Sequence, residues 1–175
     1  MRISIIGSHG IPANYGGFET FAQHLAEACA KNDIKVRVVN EKDNPVATFH
    51  ENIEVVASEF NKSEHPLKFY KDSMQIAEAD SDIIVVCGVG GAKYYSEANK
   101  SGIKIITCVD GQEHLRKRYS IIQRVMVYFL QGLAAKKSDR LITDSHIGEK
   151  YWQNRFPNQK RKIKMISNGR QSSVP

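Results

Sequence analysis

The sequence predicts an α/β protein built on a doubly wound parallel sheet covered by helices. Three observations carry this expectation. Short apolar runs rich in Ile and Val recur along the chain, segments with apolar residues at helical spacing separate them, and the two kinds alternate from end to end.

Ile3-Ser4-Ile5-Ile6, stopped by Gly7, is the first strand. After a loop to Gly17, the residues Phe18, Phe21, Ala22, Leu25 and Cys29 fall on one face of a helix, with Glu19, Gln23, Glu27 and Lys31 on the other. Ile34 to Val39 is a second strand, β-branched throughout much of its length. Residues 40–66 are polar and interrupted by proline, with one short strand at Ile53 to Ala57; Leu67, Tyr70, Met74 and Ala77 then mark another helix. The run from Ile83 to Cys87 before Gly88 is continuously apolar, as in a strand covered on both faces. A helix near 92–100 leads to a similar strand at Ile103 to Val109. A long helix from about Ser120 to Lys137 carries Ile121, Ile122, Val125, Met126, Phe129, Leu130 and Leu133 as its apolar stripe, read as the core-facing side because a doubly wound sheet needs covering helices, with insertion into a membrane as the alternative. Arg140 to Thr143 is a short strand, Asp144 or Ser145 caps a helix reaching about Phe156, and Ile163 to Ile166 is the last strand, followed by an Asn168-Gly169 turn. Residues 1–170 read as one domain; 171–175 are the start of a linker to a further domain or the end of the chain.

Length and composition exclude several classes. A chain of 175 residues buries about 70% of its unfolded surface without help from disulfides or metal. With 41% hydrophobic and 25% charged residues it is neither collagen-like nor disordered. No apolar run is long enough to cross a bilayer, and MRISIIGSHG is not a secretory signal. Cys29, Cys87 and Cys108 fit no disulfide framework or metal knuckle, and the six histidines show no metal spacing. These features place the domain in the cytoplasm.

The net charge of +6 is unevenly distributed. Residues 1–90 hold 8 Lys and Arg against 13 Asp and Glu, whereas residues 91–175 hold 17 against 6. A basic half fits an anionic partner such as a phosphorylated ligand or lipid headgroup, or else a solvated surface. Nucleic-acid recognition motifs are absent, so no nucleic-acid partner is expected.

Open parallel sheets bind ligands beyond the carboxyl ends of their strands, and three loops leave such ends here. In the first, Gly7 to Thr20, the pair Gly16-Gly17 directly precedes a helix whose unpaired amides and positive dipole end attract anions, making both glycines candidate phosphate contacts. A tight loop needing glycine would look the same. His9 lies in this loop and is a candidate to hydrogen-bond a phosphate or sugar, or to line the turn. The dinucleotide fingerprint and the phosphate-loop lysine motif are both missing, which disfavours an NAD enzyme or a P-loop NTPase. The second loop, Asp110 to Tyr119, offers the carboxylates Asp110 and Glu113 and the basic knot Arg116-Lys117-Arg118. The third, Gly88-Val-Gly-Gly-Ala92, precedes Tyr94 and Tyr95, rings that would stack on a sugar or pack locally.

The stretch GSHGIPANYGGFET resembles the opening of bacterial family 4 glycosyltransferases of the rhamnosyltransferase-like group. Val109-Asp-Gly-Gln-Glu113 with Arg116, Arg118 and Tyr119 is similar to that family's D-G-x-E-W-x-R-x-K-W, with His114 in place of the first Trp and Arg118 and Tyr119 in place of Lys and Trp. Ser138 to Ser145 is similar to its A-D-R-x-I-x-D-S. The resemblance implies a GT-B architecture, of which this chain would be the N-terminal, acceptor-side Rossmann-like half, inactive without its own C-terminal domain. It further implies transfer of a sugar from a nucleoside-diphosphate sugar such as dTDP-rhamnose to a polyprenyl-diphosphate-linked saccharide in cell-surface polysaccharide (capsule) synthesis, without cofactor or catalytic metal. The enzyme would sit peripherally at the inner face of the cell membrane, in contact with anionic lipid. On this reading Asp110 and Glu113 are the candidate catalytic residues, Gly16, Gly17 and His9 hold the donor phosphates, and Arg116, Arg118 and Tyr94 contact the acceptor. The competing expectation is a non-enzymatic nucleotide- or phosphate-binding module using the same glycine loop.

Overall fold

A computed structural model describes residues 1–14, 16–109 and 119–166. Its strands are β1 (Arg2–Ile6), β2 (Lys35–Asn40), β3 (Ile53–Ala57), β4 (Ile83–Cys87), β5 (Lys104–Cys108), β6 (Arg140–Thr143) and β7 (Ile163–Met165). The helices are α1 (Gly17–Ala30), α2 (Pro66–Glu78), α3 (Tyr95–Lys100), α4 (Ile121–Lys137) and α5 (His146–Arg155), with 3₁₀ turns at Gly90–Tyr94 and Pro157–Lys162. The strands form one sheet in the order β3-β2-β1-β4-β5-β6-β7, and every pairing is parallel. The expected α/β Rossmann-like, doubly wound parallel sheet is therefore present. From β1 the chain winds outward through β2 and β3, then returns to lay β4 on the other side of β1, so the winding reverses between β1 and β4. In such sheets the crevice at that reversal is the natural ligand position.

Side chains alternate across the sheet as strand geometry requires. Ile84 and Val86 of β4 join one core with Phe69 and Met74 of α2, Leu130 and Ala134 of α4 and Trp152 of α5. Val85 and Cys87 face the opposite way, toward Ala22, Ala26 and Cys29 of α1. Ser145 caps α5 by accepting the Gly148 N–H at 3.2 Å. Ser120 and Gln123 form a reciprocal capping box that fixes the start of α4. Arg155 lies over the Tyr128 ring at 3.6 Å and bonds the buried Gln131, tying α5 to α4.

Two sequence expectations are corrected here. The first concerns α4. Of the stripe assigned to the core, only Leu130 is buried and Leu133 half-buried, whereas Ile121, Ile122, Val125 and Phe129 are 64–82% exposed and Met126 also faces out. The helix packs instead through Val127, Leu130, Gln131, Ala134 and Ala135. Because its first three turns are apolar nearly all round, periodicity does not distinguish the packed face from the open one, and the small residues that let α4 approach the sheet decide the matter. The second is Glu19, placed by periodicity on the polar face of α1 but found 4% exposed.

Candidate functional site

The loop from β1 to α1 is built by close backbone approaches. Gly7 has φ +88°, and a Cβ there would lie 2.6 Å from the Cys87 carbonyl of the neighbouring strand. Gly10 has φ +115°, and a Cβ would overlap the Asn40 carboxamide. Both positions therefore need glycine on conformational and steric grounds. Asn40 ends β2 fully buried, and its carboxamide stands in for a missing strand partner. It accepts the Ile11 N–H at 2.9 Å and donates to the Ile11 carbonyl at 2.7 Å and the Pro45 carbonyl at 3.2 Å. His9 is fixed from both ends: its N–H donates to Glu19 Oε1 at 2.8 Å, and its Nδ1 lies 3.0 Å from Glu41 Oε1. Glu41 also accepts the Lys62 N–H at 3.0 Å, while Lys62 Nζ donates to the Gly7 carbonyl at 2.5 Å.

Beyond the strand ends these loops leave a cleft of about 670 Å³, within the usual range for small-molecule sites. One bank is the start of α1, with His9, Gly16, Gly17, Phe18 and Glu19; the second is Lys62, Leu67 and Tyr70. Cys87, Gly88, Cys108 and Val109 form the floor, and the far bank is Tyr119, Gln123, Met126 and Leu130 of α4 and its approach, with Asp144 and Ile166 beyond. The cleft is thus largely apolar, with a cation at Lys62, carboxylates at Glu19 and Asp144, and the amide-bearing tip of α1. Burial pushes the Cys108 thiol up to about 12, so it stays protonated and unreactive at neutral pH.

The candidates named from sequence separate clearly. His9, Gly16 and Gly17 all line the cleft. Neither Gly16 nor Gly17 has positive φ. A Cβ on Gly16 would lie 3.0 Å from Glu19 Oε2, whereas one on Gly17 would meet nothing. Gly16 thus makes room for the carboxylate, and Gly17 leaves open space in front of the helix amides. Tyr94 is not among the lining residues; its hydroxyl donates to the Leu67 carbonyl at 3.1 Å. Asp110, Glu113, Arg116 and Arg118 lie outside the described residues, although Val109 and Tyr119 on either side of that segment both line the cleft. The glycines of the third loop have a packing reason: a Cβ on Gly90 would fall inside the Tyr70 ring, whose hydroxyl donates to the Cys87 carbonyl at 3.2 Å. Glu19, Lys62 and Tyr70 join the site without being expected there from sequence. A carboxylate in the first turn after a glycine pair is a usable signal for Glu19, whereas nothing in the polar stretch around Lys62 marks it. Among the described residues no group of His, Cys, Asp and Glu is arranged to hold a metal ion.

Residues 1–65 match a family model described as a domain of unknown function, DUF1972, and no curated protein matches the chain. Several solved structures are similar in fold. Phytolacca americana UGT2 complexed with UDP-2fluoro-glucose and pterostilbene has a TM-score of 0.65 at 11% identity, over 98% of this chain and 55% of that one. The catalytic domain of starch synthase IV from Arabidopsis thaliana, bound to ADP and acarbose, has a TM-score of 0.60 at 13% identity, over 96% and 51%. The UDP-GlcNAc 2-epimerase from Methanocaldococcus jannaschii has a TM-score of 0.56 at 16% identity, over 95% and 45%. The chain spans about half the length of these structures. At such identities the likeness is one of fold: an α/β Rossmann-like domain matching those of GT-B glycosyltransferases.

Proposed function

We propose that the cleft is the acceptor-side half of a sugar-transfer site, completed by a C-terminal domain of the same protein. The observation that carries this is the open cleft at the winding reversal, where Gly17, Lys62 and a carboxylate meet on a largely apolar floor. The fold likeness to structures holding UDP-2fluoro-glucose or ADP and the sequence resemblance to family 4 rhamnosyltransferase-like enzymes support the same reading. The donor is a nucleoside-diphosphate sugar, with dTDP-rhamnose the first to test, and the acceptor a polyprenyl-diphosphate saccharide met at the inner face of the cell membrane.

In this reading the amides at Gly16 and Gly17, with Lys62, receive the donor diphosphate; preorganised donors of this kind stabilise the leaving group as negative charge builds on it. His9 braces the loop through Glu19 and Glu41. Glu19 bears a negative charge at the same helix tip, so it faces sugar hydroxyls rather than phosphate oxygens. Asp110 and Glu113 are the proposed acid–base and sugar-orienting groups, and Arg116 and Arg118 hold the anionic part of the acceptor, where a planar guanidinium suits phosphate. Isothermal titration with UDP, dTDP and dTDP-rhamnose, followed by turnover assays of the protein joined to its C-terminal domain, tests the proposal. Nucleotide binding without sugar transfer in the joined protein would favour the non-enzymatic module instead, and no nucleotide binding by either form would overturn both.

A further inference from the structure

Along the exposed side of α4, Ile121, Val125, Tyr128 and Gly132 recur at steps of four, three and four residues, the spacing of a helix–helix seam. Ile122 and Phe129 flank the seam, and no other element among the described residues covers it: Ile121 and Ile122 are 80% and 82% exposed, and Val125, Tyr128 and Phe129 are 55–65% exposed. A helix apolar on both sides belongs in a buried setting. Gly132 adds an independent sign. A Cβ there would meet nothing, so the fold of one chain does not require glycine, which is costly inside a helix. With Val125, Tyr128 and Phe129 it frames a hole of the i, i+3, i+4, i+7 kind, deepened by the missing side chain, that receives a knob from a facing helix. The knob that fits is Ile121 of a second copy. In an antiparallel pair whose Val125 side chains meet at the two-fold axis, each Ile121 stands over the other copy's Phe129 and beside its Gly132, as a self-complementary contact requires. Charge and area agree with this occupant. Between Ile121 and Ala135 only Arg124 is charged, and its Nε donates to the Tyr119 carbonyl at 3.1 Å. Lys137 donates to Ser96 Oγ at 2.8 Å, which leaves Lys136, beyond the end of the seam, as a poor basis for holding an anionic surface. The five flanking and seam residues together with Met126 expose on the order of 700 Å², close to the roughly 800 Å² per partner of a standard interface.

We propose that two copies of the chain pair through the outward face of α4 in an antiparallel, two-fold contact. Another edge of the same helix, through Gln123, Met126 and Leu130, lines the cleft, so the two clefts would open on opposite sides of one helix pair. The pairing goes beyond the sugar-transfer reading and stands without it, because it is read from mass and cross-linking alone.

The test is sedimentation equilibrium of the chain across the micromolar range, where a species of twice the mass of one chain should form as concentration rises. Val125→Lys sets two like charges across the axis and should weaken pairing at least about tenfold, while keeping the circular dichroism of the folded chain because the position is exposed. Gly132→Leu closes the hole and should also weaken pairing. In dilute solution the same substitution should raise the thermal midpoint of the monomer, since leucine favours a helix over glycine and a Cβ there is unopposed. Opposite signs in pairing and in monomer stability are not what a purely structural glycine would give. Val125→Cys tests the register: under mild oxidation it should yield a covalent dimer, whereas the unmodified chain, whose three cysteines are buried, should not. One-chain mass throughout the range, Val125→Lys or Gly132→Leu pairing as tightly as the unmodified chain, or no covalent dimer from Val125→Cys would each overturn the proposal. So would a monomer that sediments with vesicles of phosphatidylcholine and phosphatidylglycerol, because lipid would then occupy the face. None of these results would touch the sugar-transfer reading, which is tested by nucleotide binding and turnover.

Discussion

Glu19 accepts the backbone N–H of His9 at 2.8 Å, joining the first turn of α1 to the loop that leaves β1. The carboxylate is nearly buried, so its removal leaves an amide without a partner in a place water reaches poorly. Glu19→Ala should destabilise the fold by about 2 kcal/mol in urea titrations, the order expected for orphaning a buried donor. Glu19→Gln retains an acceptor and should cost less than half as much. Removing the charge beside the helix tip should also leave UDP affinity unchanged or raised, read by isothermal titration.

Asn40 is the other anchor of this loop, accepting the Ile11 N–H and donating to the Ile11 carbonyl. Asn40→Ala leaves a buried N–H and carbonyl unpaired and should cost about 3 kcal/mol. Asn40→Asp keeps the acceptor but loses both donated bonds, so it should not rescue stability in the same denaturation assay.

Gly90 stands against the Tyr70 ring with no room for a methyl group. Gly90→Ala should lower stability by about 2 kcal/mol through overpacking. Gly17→Ala, where a Cβ meets open space, should leave the thermal midpoint within a few degrees and weaken nucleotide binding instead. That split distinguishes a structural glycine from one that keeps a ligand approach clear.

Lys62 extends over the β1 exit, where its tip meets the Gly7 carbonyl and lies 5.8 Å from the centre of the Tyr70 ring. Lys62→Met keeps most of the aliphatic stem and should weaken UDP binding about tenfold, as expected for losing one charge-assisted phosphate contact. Undiminished binding would remove Lys62 from the proposed diphosphate site.

Cys108 has its thiol pushed up to about 12 by burial. The folded state therefore favours the protonated thiol, and the associated stability is fully present below the ordinary thiol value of 9.0 and lost as pH rises from there toward 12. At pH 8 the native protein should resist alkylation at Cys29, Cys87 and Cys108, all three of which are buried. All three should react once denaturant is added, as mass spectrometry would show.

The strand and helix pattern is legible in the sequence because the strands are short runs buried on both faces, and their ends coincide with Gly7, Gly88 and the caps at Ser120 and Ser145. The loop after β1 is legible as a site for the same reason: glycines at a strand end mark close approaches. Helix faces are less secure. Glu19 looks solvated by periodicity because what draws it in is the loop before its helix, folded back so that its carboxylate meets the His9 N–H and the space beside Gly16. In α4, Ile121 and Leu130 carry the same apolar signal yet lie on opposite sides, since the packed side is set by where Ala134 and Ala135 allow close approach. Tyr94 has the look of a ligand contact in sequence, but its hydroxyl finds the Leu67 carbonyl, a partner that only the crossover of α2 provides.

Strand β1 lies inside the sheet and is made first, yet one of its two neighbours, β4, begins at Ile83. A fragment ending at residue 65 would hold three strands with the Ile3–Ile6 backbone as a bare edge, ready to pair with another molecule. It would also lack Tyr70, the floor and the α4 bank of the ligand corner. Dissection of the protein for biophysical work should therefore keep β1 through β7 on one polypeptide, since shorter pieces would be sticky as well as blind to the ligand.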